Sequence, residues 1–197
     1  RQTLNNAKIP LPPQVFPERQ NSYGVNVDIE SEAKPFEHSV ESFLKNQWQA
    51  GPIINGQAYA ESMIKENINV EAVTAPYDRR IEVGQVAFAT LDHVSAAIDG
   101  AQQAFAKWQT SDKAQRAAML DKLAELLEAN LAELVALCHQ EAGKTIHDSI
   151  DEVREAVDFC RYYAKQVDAL GEIHLNGFDG QTRTVSRQGR GVFVCIS

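Results

Sequence analysis

The C-terminal stretch is the feature that most constrains what this chain can fold into. It runs Gly191-Val192-Phe193-Val194-Cys195-Ile196-Ser197, with five apolar residues in a row behind a turn that contains Gly189 and Gly191. An apolar run of this length, bounded by turn signals, is typical of a strand buried on both faces of a parallel sheet. Ligands of open α/β sheets bind beyond the carboxyl ends of the strands, so the run predicts a ligand crevice at or after Ser197.

Length and composition are those of a water-soluble globular chain. The 197 residues suffice for one domain or a domain with a linker, and 44% are apolar and 23% charged. No window approaches the roughly eighteen consecutive apolar residues of a membrane span, so we expect none. The net charge of −8 argues against nucleic-acid contact, which needs a basic patch. A start at Arg1 without a signal peptide leads us to expect a piece of a longer protein.

The three cysteines favour a reduced, cytoplasmic setting. Cys138, Cys160 and Cys195 all lie in apolar helix or strand patterns. Their number is odd, and their spacing fits neither a zinc site nor a disulfide framework. Cys160 lies on the apolar side of a predicted helix and Cys195 inside the predicted strand. We therefore expect both to be buried structural thiols rather than nucleophiles.

Residues 1–40 are predicted to be an interdomain linker. Prolines in 9–13 and at Pro17 exclude a helix interior, since proline lacks the N–H and clashes with the preceding turn. Residues 20–24 are turn formers, and alternation over 25–30 allows a short strand or an extended strap. We accordingly assign 41–197 to the following domain.

Four secondary-structure predictions follow from periodicity in the middle of the chain. Apolar residues at helical spacing predict a helix over 36–48. Two strands, 71–78 and 82–89, would form a hairpin with its turn at 77–80. Thr90 is the expected N-cap of a helix that extends to Trp108.

The helical pattern continues beyond residue 108. A further helix follows Ser111, its expected cap, and ends at Gly143, with a possible break at Asn130 that would divide it in two. The last helix is predicted to start near Thr145. Its apolar residues step by four and three: Ile146, Ile150, Val153, Val157, Cys160, Ala164 and Val167. This spacing predicts one buried seam that packs on neighbouring elements. A mostly polar hairpin over 172–188, with a turn at 176–180, would come next and suits contact with another subunit.

No short motif in the sequence, taken by itself, is strong evidence for a catalytic or binding site. Gly143-Lys144-Thr145 is the tail of a phosphate-binding loop, but Cys138 stands where the first glycine is needed, and a helix precedes it. A helix that ends at Gly143 and a new helix that starts near Thr145 account for this sequence better. Glu152 and Glu155 could bind a cation, but a solvated face is the more common explanation. The five histidines make no metal-ligand pattern, so we expect no metal site.

Several stretches together resemble the aldehyde dehydrogenase superfamily. They are Asn55-Gly56, Phe105-Ala106-Lys107-Trp108, Arg116-Ala117-Ala118 with Leu120, Glu141–Thr145, Glu152–Ala164 and Gly191–Ser197. The resemblance implies an α/β fold: the N-terminal portion of an aldehyde dehydrogenase, with helices packed on the start of a Rossmann-like parallel sheet, β-hairpins and an extended linker before them.

Residues in the predicted linker, hereafter the connector, resemble one particular group of enzymes within the superfamily. Lys8–Pro12, Arg19, Asn21-Ser22 and Gly24 are similar to the connector of the proline utilization A family of bifunctional enzymes. In that family a flavin-dependent proline dehydrogenase barrel precedes the dehydrogenase module. The resemblance implies NAD-dependent oxidation of L-glutamate γ-semialdehyde, the hydrolysed form of pyrroline-5-carboxylate, to glutamate. It also implies FAD in the upstream region, a small-molecule substrate and a homo-oligomer.

The resemblance leaves this chain few site residues. In the family a cysteine attacks the aldehyde, a glutamate activates water, and an asparagine helps to hold the oxyanion. All three would follow Ser197, so we expect no catalytic residue here. Ser197 and the backbone of Ile196 match positions that line the NAD site in this family. An alternative remains open: a non-catalytic helical interaction or assembly module that uses the hairpin at 172–188.

Overall fold

The protein forms two compact units in a computed structural model that describes residues 8–178 and 180–196. The helical unit combines the chain up to Leu44 with Lys113–Leu170. The α/β unit combines Lys45–Asp112 with the chain from Gly171 onward. The elements in chain order are α1 (Glu30–Phe43), β1 (Trp48–Ala50), β2 (Ile53–Ile54), β3 (Gln57–Ala58), α2 (Ala60–Lys65), β4 (Val70–Thr74), β5 (Glu82–Ala87), α3 (Leu91–Trp108), α4 (Lys113–Ala129), α5 (Leu131–Ala142), α6 (Ile146–Gln166), β6 (Ile173–Leu175) and β7 (Arg183–Val185). Short 3₁₀ turns lie at Pro12–Gln14 and Val167–Leu170.

The long helix α6 organises the helical unit. It packs against α4 and α5, and α1 also packs against α5. The buried core is built from Val40 of α1, Val135 and Ala136 of α5, and Ile150 and Val153 of α6. Val157 and Ala164 are buried as well, so the seam predicted from the four-and-three spacing is confirmed along most of its length.

The ends of α5 and α6 follow local chemistry. Gly143 after α5 adopts a left-handed φ of 67°, the conformation expected of a residue that follows a helix. The Thr145 hydroxyl accepts the Asp148 backbone N–H at 3.1 Å and caps α6. Asn130 separates α4 from α5, so the predicted long helix is two helices.

The prediction of a helix over 36–48 was wrong at both ends. The helix begins at Glu30 and includes Pro35 soon after its first turn, where burial of Ala33 and Val40 favours the helix despite one lost N–H. It ends at Phe43, and Gln140 of α5 donates from Nε2 to the Leu44 carbonyl at 2.8 Å. Trp48 belongs to β1 instead, because pairing with a distant strand overrides local helical spacing.

The α/β unit contains a three-stranded mixed sheet in the order β1-β5-β4. The predicted hairpin is confirmed: β4 and β5 pair antiparallel, from Val70 opposite Ala87 to Thr74 opposite Glu82. The strand β1 pairs parallel to β5, with Trp48 opposite Gly84. The sheet and the helices together confirm the α/β class.

Two further hairpins and the helices α2 and α3 complete this unit. The pair β2 and β3 forms a small hairpin that the sequence analysis did not predict. The helix α3 begins after Thr90, whose hydroxyl accepts the His93 N–H at 3.3 Å, so the predicted cap is confirmed. The hairpin predicted over 172–188 is also confirmed, with β6 paired antiparallel to β7. Its predicted turn includes Asp179, which lies outside the described residues.

The predicted buried strand over 192–196 is not formed by the described residues. This stretch pairs with no strand in the part of the chain that the structure describes. Val192, Phe193, Val194 and Ile196 are exposed, and so is Cys195. A strand of this kind requires hydrogen-bonded neighbours and cover on both faces, and apolar sequence alone supplies neither.

Among residues 8–178 and 180–196, no helix is both long enough and apolar enough to cross a bilayer.

Candidate functional site

The candidate cofactor-contacting segment is the exposed stretch that ends at Ile196. Its start passes close to α3: a Cβ at Gly189 would lie only 2.8 Å from the Phe105 ring. From there the chain extends away, and Ile196 is 94% exposed. Ser197, the other residue predicted to contact NAD, lies outside the described residues. The structure therefore presents one of the two predicted positions, with its backbone open to a ligand.

The described cysteines do not have the properties of an activated nucleophile. Burial raises the pKa of the Cys138 thiol and outweighs the opposing effect of the Lys144 ammonium. Burial likewise raises the pKa of Cys160. A higher thiol pKa means less thiolate at neutral pH, and the thiolate is the reactive form. Cys195 is exposed, so the expectation that it is a buried structural thiol is wrong.

The Gly143-Lys144-Thr145 motif is a helix junction. Gly143 ends α5 and Thr145 caps α6, as the simpler of the two interpretations predicted. The Lys144 ammonium forms an ion pair with Glu152, and this hydrogen bond raises the pKa of Lys144. This ion pair is exposed, so it contributes little to stability, and it turns Lys144 toward Glu152 rather than toward a phosphate.

His93, His139 and Asp151 make contacts within the fold. His93 takes part in the cap of α3, and its ring lies 5.1 Å from the Tyr59 ring. His139 Nδ1 lies 2.7 Å from the Lys144 carbonyl oxygen. Asp151 pairs with Arg154 along α6. No group of three or more His, Cys, Asp or Glu side chains within residues 8–178 and 180–196 is arranged to hold a metal ion.

One polar cluster in the helical unit was not predicted from the sequence. It consists of Glu128 on α4 with Asp158 and Arg161 on α6, and it contacts residues 19–23 of the connector. The sequence carried only a faint sign of it, since Asp158 and Arg161 are three residues apart and therefore share one side of the helix. Nothing in the sequence pairs them with a segment more than a hundred residues away.

Known proteins are similar in sequence to this chain over most of its length. Residues 63–197 match the sequence profile described as the aldehyde dehydrogenase family. The chain is 34% identical over 195 residues to the bifunctional protein PutA of Salmonella typhimurium, covering 98% of this chain and 13% of the relative. It is 33% identical over 175 residues to a 1-pyrroline-5-carboxylate dehydrogenase of Bacillus licheniformis, covering 87% of this chain and 33% of that protein.

A solved structure shares the fold. A 1-pyrroline-5-carboxylate dehydrogenase from Thermus, solved with bound NAD, superposes with a TM-score of 0.70 at 22% identity, covering 82% of this chain and 31% of that one. This chain thus spans between about an eighth and a third of the length of these relatives. The match to the family profile extends over more than half of the sequence. The chain belongs to the aldehyde dehydrogenase family.

Proposed function

We propose that this chain is part of a bifunctional proline-catabolic enzyme that oxidises L-glutamate γ-semialdehyde to glutamate with NAD. The observation that carries the proposal is the alignment with the bifunctional PutA, which covers 98% of the chain and so includes most of residues 1–40. Similarity to a 1-pyrroline-5-carboxylate dehydrogenase supports the same substrate class. In this proposal 1–40 is the interdomain linker, and 41–197 is the N-terminal part of the NAD-binding dehydrogenase domain.

NAD is the proposed cofactor of this domain. The related Thermus enzyme was solved with NAD bound. The described residues fit a limited contribution to that site: Ile196 is 94% exposed, so a ligand can reach this residue. Ile196 and Ser197 would line the cofactor, which when bound accepts hydride from the substrate. FAD belongs to the proposed proline dehydrogenase region upstream.

The catalytic groups of the proposed reaction lie outside this chain. Cys138 and Cys160 have thiol pKa values raised by burial and are unsuited to attack an aldehyde at neutral pH. The chain's own contribution is positional: α3 lies against the start of the stretch that leads to Ile196. The full-length protein is proposed to be a cytoplasmic homo-oligomer, because its cysteines match no disulfide framework and the hairpin of β6 and β7 exposes Ile173, Leu175 and Val185.

The test is an assay of the full-length protein for NADH formation. We expect turnover with L-glutamate γ-semialdehyde and NAD, and little with simple alkyl aldehydes. Reduction of a bound flavin by proline should occur in the same protein. Absence of NADH formation from every aldehyde, in a protein that is folded, would contradict the proposal and favour the interaction-module hypothesis.

A substitution tests the proposed cofactor position separately. Ser197→Ala should raise the KM for NAD about two- to tenfold, the effect of one lost hydrogen bond, with a smaller change in kcat. Ser186→Ala, at an exposed serine that directly follows β7, is the control and should leave both constants unchanged. If Ser197→Ala and Ser186→Ala have the same KM for NAD, Ser197 does not belong to the proposed site.

A further inference from the structure

The connector is bound to the helical unit by a specific set of polar contacts. Residues 19–23, hereafter the docked segment, lie in no helix or strand. Three of their backbone groups nevertheless have hydrogen-bond partners more than a hundred residues away in sequence, on α4 and α6. A plain tether would leave its backbone groups to water, whereas buried backbone polar groups require partners within the protein.

Asp158 of α6 is the main acceptor for this segment. Its Oδ1 accepts the Ser22 backbone N–H at 2.7 Å, and its Oδ2 accepts the Ser22 hydroxyl at 3.0 Å. Arg19 Nη1 lies 3.6 Å from the same carboxylate. Ser22 is only 1% exposed, so both of its hydrogen bonds are shielded from competing water. A carboxylate that accepts two bonds from one residue fixes both the position and the orientation of that residue.

A second pair of charges holds the neighbouring backbone. Arg161 Nη1 donates to the Asn21 carbonyl at 3.1 Å. The same guanidinium is bidentate to Glu128, at 3.0 and 2.6 Å. Glu128 Oε1 in turn accepts the Tyr23 backbone N–H at 2.7 Å. The Arg161 and Glu128 side chains are 12% and 18% exposed, so this ion pair is largely shielded.

Two contacts order the loop that precedes the docked segment. The Asn21 N–H donates to the Pro13 carbonyl at 2.9 Å and closes the loop between them. The Arg19 guanidinium lies 4.3 Å from the centre of the Phe16 ring, within the range of a cation–π contact. The chain therefore arrives at α6 with part of its conformational entropy already lost, which favours docking.

We infer that Glu128, Asp158 and Arg161 form a docking surface for residues 19–23 of the same chain. The surface matches three consecutive backbone groups, the Asn21 carbonyl and the Ser22 and Tyr23 amides, with one guanidinium and two carboxylates. Docking fixes the path of the connector across α4 and α6. The inference stands on these contacts alone and does not depend on the proposed activity.

Hydrogen exchange of the full-length protein tests it. In the unsubstituted protein the Ser22 and Tyr23 amides should exchange slowly, although they lie outside secondary structure. Asp158→Ala should speed exchange of the peptide that contains them roughly ten- to one hundredfold, the factor that corresponds to losing hydrogen bonds to a charged group. Glu155→Ala is the matched control, because Glu155 is an exposed acid on the same helix, and it should leave exchange unchanged.

If Asp158→Ala also destabilises α4 and α6, a milder variant still tests the inference. Ser22→Ala removes only the hydroxyl bond and should speed exchange of residues 19–23 about two- to tenfold, while peptides from α4 and α6 stay protected. Unprotected Ser22 and Tyr23 amides in the unsubstituted protein would overturn the inference. So would unchanged exchange of the docked segment in both Asp158→Ala and Ser22→Ala.

Discussion

At the scale of single residues, the two half-buried cysteines illustrate how burial decides reactivity. Cys138 lies near the C-terminus of α5 and Cys160 lies in α6. Burial is the main cause of the raised pKa of both thiols. The Lys144 ammonium acts in the opposite direction on Cys138, but it is itself paired with Glu152. A buried thiol whose nearest cation is already neutralised stays protonated at neutral pH.

Alkylation with iodoacetamide, read by peptide mass spectrometry, should therefore follow a predictable pH dependence. At pH 7 we expect Cys138 and Cys160 to react more slowly than a cysteine in an unstructured peptide. Because their pKa values are raised, their rates should climb only at pH values above those at which the peptide cysteine ionises. Cys195, which is exposed, should react sooner than either.

A Cys195→Ala variant removes the exposed thiol and serves as the control for this labelling. Faster alkylation of Cys138 or Cys160 than of the peptide cysteine at pH 7 would mean that a thiolate is present. That result would contradict the structural role assigned to them here.

At the scale of elements, the parallel pair of β1 and β5 depends on one close approach. Gly84 in β5 lies opposite Trp48 in β1. A Cβ at Gly84 would lie 2.1 Å from the Trp48 carbonyl oxygen, much closer than van der Waals contact allows. The clashing group is backbone, so it cannot move aside by a change of rotamer. The absence of a side chain at this position is what allows β1 to join the sheet.

Gly84→Ala should consequently destabilise the α/β unit by about 1–3 kcal/mol, the usual cost of forcing an extra methyl group into a packed site. Thermal unfolding with circular dichroism measures the shift. Gly171→Ala is the matched control in the same unit, because a Cβ there meets no atom within 4 Å. Equal stability of the two variants would show that β1 and β5 can separate without cost.

At the scale of the whole molecule, the C-terminal stretch is an exposed apolar segment that pairs with no strand among the described residues. Val192, Phe193, Val194 and Ile196 are all exposed in the described structure. Burying one such side chain is worth roughly 1.5–3 kcal/mol, so covering several is comparable to the roughly 5–15 kcal/mol stability of an entire domain. An unpaired apolar segment of this kind pairs readily with another copy of itself.

The isolated polypeptide 1–197 should accordingly self-associate and show no NAD-dependent aldehyde oxidation. Sedimentation velocity should detect oligomers that decrease in the double variant Phe193→Ser with Val194→Ser. Ile9→Ser with Leu11→Ser replaces two other largely exposed apolar residues and serves as the control. A monomeric, soluble 1–197 that turns over glutamate semialdehyde would refute the expectation.

Local features were predictable because their causes lie within a few residues. Thr90 and Thr145 cap helices, Gly143 follows one, and the spacing along α6 marks its buried side. The alternating pattern likewise predicted the hairpin of β4 and β5. Each of these depends on hydrogen bonds or packing set by neighbours in sequence, so a single chain reveals them. The resemblance to the aldehyde dehydrogenase family rested on the same short stretches.

Other features were decided only by the tertiary structure. Trp48 left its predicted helix because β5 offered a strand partner, and Ser22 became buried because Asp158 lies beside it on α6. The stretch 192–196 has the composition of a strand but pairs with no strand in the part of the chain that the structure describes, since pairing needs a neighbour that composition cannot supply. The sequence by itself determined the starts of α3 and α6, the end of α5, the apolar seam and the family. Contacts between residues far apart in the chain decided the sheet order and the position of residues 19–23 on α4 and α6, because their free energy depends on which distant groups meet.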